Sequence, residues 1–82
     1  MMSKETFDSF IKRIKWGEEP EFTFRDEIYS ISWSQNHKVI LGKYKDEDNA
    51  QFFDSVDEML KNAKIEGLSL KIAFPEFTNV LG

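Results

Sequence analysis

EFTFRDEIYSISWSQNHKVILGKY, residues 21–44, holds three runs of alternating apolar and polar residues separated by short polar breaks, and it carries five aromatic rings. Alternation with period two sends successive side chains to opposite faces of an extended chain. In EFTFR, Phe22 and Phe24 share a face, with Glu21, Thr23 and Arg25 opposite. In IYSISW, Tyr29, Ile31 and Trp33 share a face against Ile28, Ser30 and Ser32. KVILGKY is partly apolar on both faces, as expected of a strand with a neighbour on each side. The breaks, Asp26-Glu27 and SQNH, are rich in turn formers. The reading is a set of antiparallel strands joined as a meander.

Outward from this centre, residues 3–16, SKETFDSFIKRIKW, read as a helix. Phe7, Phe10, Ile11 and Ile14 fall at helical spacing and make one apolar stripe. Ser3 is placed to cap the start. Early acids (Glu5, Asp8) and late bases (Lys12, Arg13, Lys15) suit the helix dipole. Gly17 stops the helix and Pro20 keeps it from resuming. On the other side, KDEDNA reads as a charged loop and QFF as a short fourth strand. DSVDEMLKNA then reads as a second helix, with Ser55 and Glu58 as a capping box and Val56, Met59, Leu60 and Ala63 as its stripe. In the tail, Leu68, Leu70, Ile72 and Phe74 alternate like a strand, yet Ser69 and Pro75 equally bracket a short helix, and residues 68–77 stay open between the two.

The expected fold is therefore a single α+β domain over residues 1–82. It has a three- to four-stranded antiparallel meander sheet, with an N-terminal and a C-terminal helix packed on one face. Eighty-two residues bury a thin core, so most large apolar side chains are needed inside. Eight phenylalanines, two tryptophans and two tyrosines argue against disorder in a chain this short. The helix stripes need a partner surface, and Phe22, Phe24, Tyr29, Ile31 and Trp33 supply it.

FFDSVDEMLKNAKIEGLSLKIAFPEF resembles a pattern in small uncharacterised proteins of Gram-positive bacteria and their phages. The matching positions are Phe53-Asp54-Ser55, Asp57-Glu58-Met59-Leu60, Ile65-Glu66-Gly67, Ser69-Leu70-Lys71 and Pro75-Glu76, with IYSISW as the upstream strand. Met59 and Ala73 depart from the pattern's usual leucine and larger residue. The resemblance implies that Ser69 opens a short helix and a phage or mobile-element setting. It brings no catalytic residue with it.

Chemistry-bearing motifs are sparse. The one histidine, His37, sits in a turn, where a solvated polar role is the ordinary one. The four glycines, at 17, 42, 67 and 82, build no phosphate-cradling loop, and no G-x-S-x-G is present. Asp46, Glu47 and Asp48 lack the spacing of a calcium loop. No cysteine is available for a disulfide or a thiolate site, which fits a reducing compartment. With no apolar h-region at the N-terminus and no membrane-length apolar run, a cytoplasmic protein is expected. No enzyme, metal or cofactor is expected.

Two surfaces remain as candidates. Lys12, Arg13 and Lys15 with Trp16 form a basic patch beside an aromatic ring, the pattern of a nucleic-acid contact. The net charge of −4 disfavours that role, and acidic mimicry of nucleic acid is its converse. Ile28, Ile40, Tyr44 and Phe52 cannot all point the same way as the core set; if the tail leaves them uncovered, they form an apolar patch for a protein partner or a homodimer. Non-catalytic protein binding is the expected function.

Overall fold

A computed structural model describes residues 5–81. Helix α1 (Phe7–Lys15) is followed by strands β1 (Glu21–Phe24), β2 (Glu27–Trp33), β3 (Val39–Lys43) and β4 (Asp46–Phe53). Helix α2 (Val56–Asn62), a two-stranded ribbon of β5 (Lys64–Ile65) and β6 (Leu68–Ser69), helix α3 (Leu70–Ala73) with a 3-10 turn, and β7 (Thr78–Leu81) complete the chain. The main sheet is antiparallel in the order β4-β3-β2-β1-β7.

The α+β class and the meander stand, but the sheet has five strands rather than three or four, and three helices rather than two accompany it. KDEDNA is not a loop. Asp46 opens β4, Lys43 pairs with Asp46, and QFF is the end of an eight-residue strand. Within residues 68–77 the helical alternative holds: Ser69 caps α3 by accepting from the Ile72 N–H at 3.4 Å, and only beyond them does the chain extend again, as β7. Thr6, not Ser3, caps α1 by accepting from the Ser9 N–H at 3.1 Å. Ser3 and Lys4 lie outside the described residues. Ser55 caps α2 by accepting from the Glu58 N–H at 3.1 Å.

All three helices contribute to one core with the inner sheet face. Phe10, Ile11 and Ile14 of α1, Val56 and Met59 of α2, and Leu70 and Ala73 of α3 are buried. They join Phe22, Phe24, Tyr29, Ile31, Val39, Leu41 and Phe53. Phe7, Trp33 and Leu60 pack against this core while partly exposed. The chain from α2 to α3 crosses beneath the sheet from the β4 edge to the β1 edge, which is how a C-terminal strand reaches β1.

Phe77 anchors that return. Its ring stacks on Phe22 at 3.9 Å and meets Phe10, Phe24 and Phe74 edge-on at 5.9, 6.0 and 5.4 Å. Edge-on and offset contacts set the positive ring edge against the negative face of a neighbour.

Side chains substitute for missing ladder bonds in two places. The Gln51 amide donates to the Lys64 carbonyl at 2.7 Å and accepts from the Lys64 N–H at 3.0 Å, tying the β5-β6 ribbon to β4. Ahead of β1, where a backbone bond from the Ile31 N–H to the Pro20 carbonyl is the last of the ladder, the Trp33 N–H donates instead to the Glu19 carboxylate at 2.9 Å. Gln51→Ala is expected to lower stability by about 1–2 kcal/mol, the usual range for losing two such bonds in a partly screened position. A urea midpoint unchanged in that variant would count against this pinning role.

Candidate functional site

Because successive residues point to opposite sides of a strand, the face opposite the core presents Ile28, Ser30 and Ser32 of β2, Ile40 and Gly42 of β3, and Ala50 and Phe52 of β4. No helix among the described residues lies on it, since the buried residues of all three helices belong to the single core on the other side. Ile28 is 40% exposed, Phe52 59% and Leu81, opposite Glu21 on the β7 edge, 60%. Tyr44, in the turn after β3, is 63% exposed.

The face has relief. Ile40 and Phe52 are cross-strand partners at one end. Tyr44 and Ile28 adjoin at the other, where the Tyr44 N–H donates to the Ile28 carbonyl at 2.7 Å. Between them lies an open trough of about 280 Å³ with Ser30, Ser32, Gly42 and Ala50 among its lining. Its floor is low because Gly42 has no side chain; a Cβ there would stand 4.0 Å from that of Ala50, so the hollow is shallow and unobstructed. Glu21 and Lys43 border it.

Ile28, Ile40, Tyr44 and Phe52 thus come together, with Ile40 half-buried and the other three exposed. Between the adjacent Phe52 and Phe53, it is Phe53 that turns inward, 6% exposed. Sequence reasoning missed Leu81, because β7 was not recognised as a strand. It also missed the trough, although the small residues at the alternate positions 30, 32, 42 and 50 were a readable signal.

The basic patch is engaged with its own surface. The Arg13 guanidinium donates to both Glu5 carboxylate oxygens at 2.9 and 3.0 Å and to Glu18 at 3.2 Å. The Lys15 ammonium stands 3.6 Å from Asp57. Lys12 is exposed. Trp16 caps the C-terminus of α1 through its backbone and is 79% exposed, bordering an open groove with Lys15, Trp33 and His37. The Trp33 indole is held below by its N–H bond to the Ile14 carbonyl at 3.2 Å.

His37 lies exposed in the β2–β3 turn in the left-handed region, with φ 63°. Its N–H donates to the Ser34 carbonyl at 3.0 Å, and the Ser34 N–H donates to the Lys38 carbonyl at 2.9 Å, closing the hairpin. The Lys38 ammonium is bonded to Asp54, which holds its pKa above the ordinary lysine value. Burial raises the Tyr29 phenol, helped by the carboxylates of Glu66, Glu27 and Asp46. Asp46 accepts from the Asn49 side chain at 2.7 Å, and the Glu47 side chain is outside the description. Among the described residues, no group of three His, Asp or Glu side chains gathers as metal ligands do. None of the described helices is long and apolar enough to cross a membrane.

Among the described residues, the arrangement is a small α+β fold whose antiparallel sheet is covered by helices on one face and open on the other. No protein-family model, curated protein or solved structure matches the chain.

Proposed function

We propose that this chain is a small non-catalytic protein-interaction module that binds through the helix-free face of its sheet. The observation that carries the reading is that Ile28, Tyr44, Phe52 and Leu81, four of the six large apolar side chains exposed among the described residues, lie on the sheet face that holds the trough. A domain this small has few large apolar side chains to spare from its core. Those kept in water on a single face are the ordinary mark of a surface completed by another protein. The absence of cysteine supports a reducing, cytoplasmic setting. The resemblance of residues 22–77 to small proteins of Gram-positive bacteria and their phages supports a phage or mobile-element context. The nucleic-acid reading draws less support, because Arg13 and Lys15 already face carboxylates and the chain carries a net charge of −4.

The test is site-specific photo-crosslinking in cells that make the protein. A benzophenone amino acid at position 52 is expected to give a discrete adduct, and one at position 61, on the solvent side of α2, none. Tyr44→Glu should abolish the adduct while leaving the circular dichroism spectrum unchanged. No adduct from position 52, or equal labelling from both positions, overturns the reading.

A further inference from the structure

We infer that the occupant of the open face is a second copy of this chain, the two sheets packing face to face around a two-fold axis; this rests on the interaction reading above. Three observations select a copy of itself over a foreign partner and the face over the edges.

The first is charge. In a two-fold contact the same patch lies on both sides, so any charge near the axis meets its own image. Of the residues in the chain, 32% are charged, yet the middle of this face, from Ser30 and Ser32 through Ile40 and Gly42 to Ala50 and Phe52, carries none. Two charged residues border the trough: Lys43 is answered by Glu27, 3.8 Å away, and Glu21, paired in register with Ser30 and Leu81, is the carboxylate that must stand off the axis.

The second is area. Ile28, Tyr44, Phe52 and Leu81 are each 40–63% exposed. Side chains of this size expose together on the order of 500 Å² per copy at such fractions. Two copies with the intervening Ser30, Ser32 and Ala50 surface then reach roughly 1,000–1,400 Å², the range where specific interfaces begin.

The third is the state of the edges. The β4 edge carries Asp46 and Asp48, and β7 is four residues long with Asn79 at φ 50° interrupting its extended run. Acidic, short and irregular edges resist strand-to-strand extension. Growth of the sheet sideways is thereby discouraged, and stacking on the flat is not. The assembly is a four-layer sandwich of helices, sheet, sheet and helices, with sheets about 10 Å apart.

Sedimentation equilibrium of the purified full chain tests this. The wild type is expected to pass from monomer to dimer mass between about 1 and 500 µM, as suits an interface at the lower end of specific sizes. Ser30→Glu and Phe52→Glu, both at exposed positions, should raise the dissociation constant at least tenfold with the circular dichroism spectrum unchanged. Since the chain has no cysteine, Ser30→Cys gives a single handle. A short bismaleimide should link it to a second copy, whereas Lys61→Cys on the helix side should stay monomeric.

Monomer mass throughout the concentration range overturns the inference, as does a dimer that both glutamate variants leave equally tight. The crosslink from position 52 separates the two readings. A monomer that still gives an adduct with a different protein removes self-pairing and leaves the interaction face. A monomer with no adduct removes both.

Discussion

Phe77→Ala is expected to lower unfolding free energy by about 3–5 kcal/mol, the range for removing a buried phenylalanine ring. The whole domain has roughly 4–12 kcal/mol at its disposal for a chain of this length. Phe77 is 2% exposed, lies 3.9 Å from Phe22 and touches the rings of Phe10, Phe24 and Phe74. Its removal leaves a cavity flanked by α1, β1 and the turn after α3, and it releases the residue that leads β7 back to β1. Thermal unfolding followed by circular dichroism should show a midpoint more than about 10 °C below wild type. A shift of only a few degrees would mean that β7 and its anchor contribute little.

Phe10→Ala should cost a similar amount, about 3–5 kcal/mol, by undocking the middle of α1. Phe10 is fully buried and meets Phe22, Phe74 and Phe77 at 6.0, 5.3 and 5.9 Å. Because Phe10 and Phe77 touch, the double variant should be less destabilised than the sum, by roughly 0.5–1.5 kcal/mol. Urea unfolding of the four proteins measures this directly, provided the double variant still folds; with Leu in place of Ala at both positions the cycle stays within a measurable range. Strict additivity would show that the aromatic cluster does not act as a unit.

The elements legible in the sequence were those with a full period of signal. Helix α1 announces itself through Phe7, Phe10, Ile11 and Ile14, and α2 through Ser55, Val56 and Met59. Strands β1 to β3 follow from their alternation. What stayed hidden was structure imposed by context. The first half of β4, DEDNA, is made of residues depleted in strands, and it is extended because Lys43 and Asp46 pair across a tight turn. Strands β5 and β6 have two residues each, too few for any pattern. In the tail, alternation and the Ser69–Pro75 bracket left strand and helix open; Ile72 is 65% exposed while Leu70, Ala73 and Phe74 are buried, which is the helical spacing.

The candidate face was half legible for the same reason. Parity within a strand separates Ile28 and Ile40 from Tyr29, Val39 and Leu41. It does not say which of two adjacent phenylalanines turns inward, nor that a fifth strand will bring Leu81 alongside Glu21. The exposure of Trp16 had no signal at all, since a tryptophan at a helix end is as compatible with burial as with solvent.

The hairpins turn without glycine at most of their left-handed positions, on Asp26 and His37, which tolerate that region, and on Arg25, Lys45 and Glu66, which do so less readily. Arg25 and Asp26 at φ 49° and 68°, His37 at 63°, Lys45 at 68° and Glu66 at 50° occupy left-handed positions where glycine or asparagine is at ease. The contact that adds the last strand, Glu21 with Leu81, joins segments far apart in sequence. The other three pairings of the main sheet are hairpins between consecutive strands, so refolding should fall in the intermediate regime of mixed α and β domains, with β7 docking as the step that needs a distant encounter.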